Sequence, residues 1–158
     1  MKRAGWRKPA VTLVVLAAVA GVVVATRSGS PSPEVASANV KVYKTVGCGC
    51  CSGWVEHMRD KGFTVEAKDV SAITQIKRRL GVPPTLESCH TAVVGDYVIE
   101  GHVPADVIER LLKEHPNIAG LAVPGMPVGT PGMEGGRKDH YKIIAFDADG
   151  NQSVYDSR

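Results

Sequence analysis

The chain has 158 residues and a formal net charge of +3, enough for one domain and something more. The positive charge is local. Residues 1–38 carry Lys2, Arg3, Arg7, Lys8 and Arg27 against Glu34, a net of +4, which leaves −1 for residues 39–158. No basic patch remains beyond the leader, which excludes nucleic acid as a partner.

The four basic residues at the front precede an apolar run from Ala10 to Ala25, the charged and apolar regions of an export signal. Its 16 residues would span about 24 Å as a helix, short of the ~30 Å hydrocarbon core. A cleaved signal peptide and an uncleaved N-terminal signal anchor both fit residues 1–26. A small-residue cleavage site, Ala36 to Ala38, lies far beyond the apolar run, which tips the reading towards an anchor or an unusually long signal. That segment is the only expected contact with a membrane, and the expected location is the periplasm. Residues 27–38 are Ser-, Pro- and Ala-rich and read as a flexible tether.

The exported domain, residues 39–158, opens on NVKVYKTV, an alternating strand with Val40, Val42 and Val46 inward. A cysteine loop follows, and then SGWVEHMRDKG, an amphipathic helix with Trp54, Val55 and Met58 on one face and a stop at Gly62. FTVEAKDV reads as a second strand. SAITQIKRRLG reads as a helix capped by Ser71, with Ile73, Ile76 and Leu80 on one face. After a break at VPPT, TAVVGDYVIEG forms a hairpin turning at Gly95-Asp96. VPADVIERLLKEH is a third helix with Val107, Ile108, Leu111 and Leu112 inward. The order β-α-β-α-β-β-α, with cysteines at the first strand-to-helix junction, specifies an α/β thioredoxin-like sandwich. Residues 120–136, GLAVPGMPVGTPGMEGG, form a Gly/Pro/Met loop in which Pro-Gly-Met occurs twice. YKIIAFDADGNQSVYDS closes the chain as a β-hairpin extension turning near Asp149-Gly150. Its DADGN stretch lacks the glutamate at position twelve that a calcium loop needs.

Cys48, Cys50, Cys51 and Cys89 are the cysteines. Cys48 and Cys51 make a C-x-x-C pair, a redox motif when a strand precedes it and a helix follows. A helix N-terminus also favours thiolates. Cys50 is superfluous to that pair, and adjacent thiolates make a soft-metal trap. Cys89, just before the third strand, would face the same turn. Two structural disulfides would suit an exported chain, but neighbouring cysteines bridge only with strain. Thiolate plus thioether selects Cu(I), and the repeated Pro-Gly-Met offers Met126 and Met133, whereas Met58 belongs to the core. His90, beside Cys89, and His102, after Gly101, are candidate ligands or outer-shell groups. His57 reads as half-exposed, His115 as structural at a helix end, and His140 has no role.

GCGCCSGW, SCHTAVVG, IEGHVPADVIERLL and GLAVPGMPVGTPGMEGG, in this order, resemble the CopG-type family of periplasmic copper-resistance proteins. The resemblance covers residues 40 to 156. It implies a thioredoxin-like fold binding several Cu(I) ions through Cys48, Cys50, Cys51 and Cys89, and it leaves copper redox activity open. Met126, Met133, His90 and His102 fall in the matching motifs. Copper ions are the implied partners, together with other periplasmic copper-handling proteins. Two other readings remain: a thiol–disulfide oxidoreductase using Cys48 and Cys51, and a structural zinc domain, against which the methionine loop weighs.

Overall fold

The structure is a computed structural model, and it describes residues 38–158. The strands are β1 (Asn39–Lys44), β2 (Thr64–Asp69), β3 (Thr91–Val94), β4 (Tyr97–Glu100), β5 (Gly120–Ala122), β6 (Lys142–Phe146) and β7 (Gln152–Ser157). The helices are α1 (Gly49–Asp60), α2 (Ile73–Arg79) and α3 (Ala105–Glu114), with a 3-10 turn at Pro84–Leu86. All strands join one sheet in the order β2-β1-β3-β4-β5-β6-β7. β1 runs parallel to β2 and antiparallel to β3, which forms a hairpin with β4. This is the thioredoxin-like arrangement that the element order specifies.

Side-chain alternation along the strands builds two cores of unequal size. Val40, Val42, Ala92, Val94 and Ile99 meet Trp54, Val55 and Met58 of α1 and Val107, Ile108 and Leu111 of α3. On the opposite face Val98, Ala122 and Phe146 meet Val82 and Leu86. The larger core anchors α1, which carries the cysteines. Trp54 is fully buried and its indole N–H donates to the Val103 carbonyl at 2.8 Å, so its polar edge is satisfied as well.

Four local expectations need correcting. Val46 is 79% exposed, because β1 ends at Lys44 and the chain turns through Gly47 at φ +76°. α1 begins at Gly49, so Cys50 and Cys51 sit in its first turn and not in a loop ahead of it. Ser71 does not cap α2; the position falls to Ala72, without a side-chain cap. Ile73, Ile76 and Leu80 are only half-buried, while Lys77 is 2% exposed. The helix turns Lys77 inward because its ammonium finds Glu100 on β4.

The Gly/Pro/Met stretch also hides a strand. β5 pairs parallel with β4 and antiparallel with β6, so the C-terminal hairpin continues the sheet. Gly120 makes this possible: a Cβ there would lie 2.0 Å from the Val98 carbonyl oxygen. No helix among the described residues is long and apolar enough to cross a membrane. The apolar run at 10–25 and all of the expected tether at 27–38 except Ala38 lie outside the described residues.

Candidate metal centre

The first strand-to-helix junction brings the cysteines together. Cys48 occupies the cap position of α1 with extended backbone, and its N–H donates to the Thr45 carbonyl at 3.3 Å. Cys50 follows on the partly exposed side of the first turn and Cys51 on the buried side. Cys48 and Cys51 are joined as a disulfide, their Cα atoms 5.3 Å apart. Cys50 and Cys89 are free thiols. The Cys50 sulfur lies 3.6 Å from that of Cys48 and 3.7 Å from that of Cys89. All four sulfurs lie within 4.8 Å of one another, the only such group of three or more His, Cys, Asp or Glu side chains among the described residues.

Burial, and then a hydrogen bond with Cys50, push the Cys89 thiol up to about 11. Cys89 lies outside α1, between the 3-10 turn and β3. A soft cation that replaces the proton removes this penalty, because the sulfur then binds as thiolate.

Directly behind Cys89 lies a buried aromatic cluster. The His90 ring centre is 4.6 Å from that of Trp54 and 5.0 Å from that of His102. Both imidazoles are fully buried. Burial lowers the pKa of each, helped for His90 by the charges of His102 and Lys77. His102 Nδ1 lies 2.7 Å from the Pro131 carbonyl oxygen, which can only accept. Nδ1 therefore holds the proton, and Nε2 of the neutral ring presents a bare lone pair. His102 Nε2 and both nitrogens of His90 are buried without a hydrogen-bond partner. An unmet buried polar atom costs about 1–3 kcal/mol, so three of them call for a ligand or bound water. Among the described residues only the four cysteine sulfurs are grouped closely enough to hold one ion. With Cys48–Cys51 reduced they fit a soft cation such as copper, and the His90 and His102 nitrogens are not part of that group.

The Gly/Pro/Met loop is pressed against this region. At Gly132, φ +81°, a Cβ would meet the Cys50 carbonyl oxygen at 2.4 Å and the Trp54 nitrogen at 2.6 Å. The backbone of the second Pro-Gly-Met turn thus lies on the cysteine helix, which brings half-buried Met133 beside it in sequence. The first turn is held differently, by the Ser88 hydroxyl donating to the Gly125 carbonyl. Met126 beside it is 57% exposed.

Two solved structures make the kinship specific. Both are titled copper resistance protein CopG, in two forms, and each is 41% identical to this chain with a TM-score of 0.73. The match covers 77% of this chain and 98% of the first structure, and 76% and 96% for the second. The chain belongs to the CopG copper-resistance family. Residues 86–133 also match a family model described as protein of unknown function, DUF411. That segment holds Cys89, His90, His102 and both Pro-Gly-Met turns, and stops short of the first three cysteines. No curated protein matches the chain.

Of the remaining histidines, His57 is half-buried and its Nε2 accepts the Ala105 N–H at 3.2 Å. His115 adopts left-handed backbone at the end of α3, and His140 is exposed. Lys77 and Glu100, both buried, were missed by the sequence reading, although Lys77 stands four residues after Ile73 and three before Leu80 and so shares their helix face. A clue lay in the YVIE strand, where a glutamate ends a run of otherwise core residues.

Proposed function

We propose that this protein is an exported, periplasmic member of the copper-resistance machinery that binds Cu(I), several ions per chain, through Cys48, Cys50, Cys51 and Cys89. Residues 1–26 serve as its signal peptide or anchor and 27–38 as its tether. The reading rests above all on one observation: four cysteine sulfurs lie within 4.8 Å of one another. Thiolates that close can bridge more than one soft cation. His90 and His102, with neutral nitrogen donors, and Met126 and Met133, with thioethers, are the further ligand candidates of this reading, to be tested by substitution. Copper donors and acceptors would be other periplasmic copper-handling proteins.

The Cys48–Cys51 disulfide favours a second reading, thiol–disulfide exchange. Two electrons and two protons from a dithiol would open it to two thiols, so metal capacity and redox state share the same atoms. The readings separate in one variant. Under copper binding, Cys50→Ser lowers the Cu(I) taken from a chromophoric chelator by the reduced protein, with the thermal midpoint unchanged. Under pure exchange, Cys50→Ser leaves copper uptake intact and alters only the rate of reducing a test disulfide.

A further inference from the structure

Glu100, the last residue of β4, is fully buried, and Lys77 of α2 lies against it at 2% exposure. A buried ion pair is a weak source of stability, because desolvating two charges offsets their attraction. Apolar residues of similar volume often serve as well or better. The other bonds of the carboxylate suggest a different use. Oε1 also accepts the backbone N–H of Ser88. Oε2 accepts the Thr91 hydroxyl at 2.6 Å, and Lys77 Nζ donates to that same hydroxyl oxygen at 3.0 Å.

Ser88 and Thr91 stand on either side of Cys89-His90. The residue after Glu100, Gly101, donates its N–H to the His90 carbonyl at 2.9 Å. Its φ is +71°, and a Cβ there would come within 2.6 Å of the Ser88 hydroxyl. Glu100-Gly101 therefore grips the cysteine segment before, within and after Cys89-His90. The Ser88 hydroxyl extends the brace to Gly125, next to Met126.

We propose that Glu100, neutralised by Lys77, is a positioning residue that sets the Cys89 sulfur beside Cys50, and that the charge pair is retained for this placement. The inference rests on the sulfur cluster being the functional site, but its first test needs no metal. In the oxidised protein, Cys50 and Cys89 are the free pair, 3.7 Å apart. Dibromobimane becomes fluorescent when it bridges two thiols, and its cross-linking rate reads their placement directly.

The double variant Lys77→Met/Glu100→Leu removes the charges and the acceptor oxygens together. It leaves the Ser88 N–H and Thr91 hydroxyl without their acceptor, so it should fold with a lowered midpoint and cross-link roughly fivefold more slowly, the factor set by one net hydrogen bond. Lys77→Met/Glu100→Gln keeps an oxygen for the Ser88 N–H and should recover most of the rate. Copper stoichiometry should follow the same order. A folded Leu variant that cross-links at the wild-type rate overturns the proposal. Should that variant not fold, Thr91→Val decides, since it leaves the ion pair and removes only the hydroxyl brace. Slower cross-linking at an unchanged midpoint supports the placement role, and an unchanged rate overturns it. A wild-type protein that cross-links and responds to these variants, yet takes up no copper, would sink the copper reading and leave the positioning role standing.

Discussion

Replacing Gly132 by alanine should separate the Gly/Pro/Met loop from the cysteine helix. The residue sits at φ +81°, where an L side chain costs roughly 1–2 kcal/mol. The added methyl would also stand 2.4 Å from the Cys50 carbonyl oxygen and 2.6 Å from the Trp54 nitrogen. Both contacts are helix backbone, which cannot swing aside, so overpacking adds about 1–3 kcal/mol. The total, about 2–5 kcal/mol, is either taken as lost stability or avoided by lifting residues 131–133 off α1. Gly150→Ala is the internal control: its φ is +84° and nothing lies within 4 Å of its would-be Cβ, so it bears only the first cost. Urea denaturation of both variants, with limited proteolysis of the loop, reads the two outcomes. Gly132→Ala should either lose at least about 1 kcal/mol more than Gly150→Ala, the low end of the overpacking cost, or expose a new cleavage site near residues 126–136. Equal stability with an uncut loop would refute the close packing of loop on helix.

Three further outcomes follow from the site chemistry. Denatured without reductant, the oxidised protein should titrate as two thiols per chain, and after reduction as four, since Cys50 and Cys89 are free and Cys48–Cys51 are bridged; four thiols at once would contradict the disulfide. The metal-free protein should lose stability as pH falls below about 6.5, the ordinary histidine value. Burial lowers the pKa of His90 and His102, so the unfolded chain binds protons that the folded one refuses. The slope contributed by His90 should approach about 1.4 kcal/mol per pH unit, and His90→Phe should remove it; a slope unchanged by that substitution between pH 7 and 5 would contradict its neutral burial. Finally, Cu(I) affinity should rise with pH over the whole neutral range, because the Cys89 thiol, pushed up to about 11 by burial, must lose its proton to bind. Chelator competition at several pH values checks this, and an affinity independent of pH would exclude Cys89 as a ligand.

Much of this architecture was legible in the sequence because it follows from short-range pattern. The face formed by Trp54, Val55 and Met58 and the Gly95-Asp96 turn are local signals and both are present, although α1 begins three residues ahead of its pattern, at Gly49. β5 was hidden because Gly120-Leu121-Ala122 is too short to show alternation, and its strand character comes from slotting between β4 and β6. Lys77 was hidden because a charged side chain is ordinarily assigned to solvent, although its spacing from Ile73 and Leu80 puts it on their face; only a carboxylate from a distant strand makes its burial tolerable. The closeness of Cys48, Cys50 and Cys51 was visible in their spacing. The arrival of Cys89 at 3.7 Å from Cys50 depends on the β1–β3 pairing, which spacing alone does not supply. His90 and His102 were visible as neighbours of motif residues, but their complete burial beside Trp54 is a product of three elements packing together.

The central claim, that the four sulfurs form a copper site, is tested most directly by metal content. The reduced protein would be loaded anaerobically with excess Cu(I) in the presence of competing zinc, desalted, and assayed for copper, zinc and reactive thiols. More than one copper per chain, with all four thiols protected and zinc excluded, is the expected result. One zinc per chain, or no metal and a re-formed Cys48–Cys51 disulfide, would contradict it.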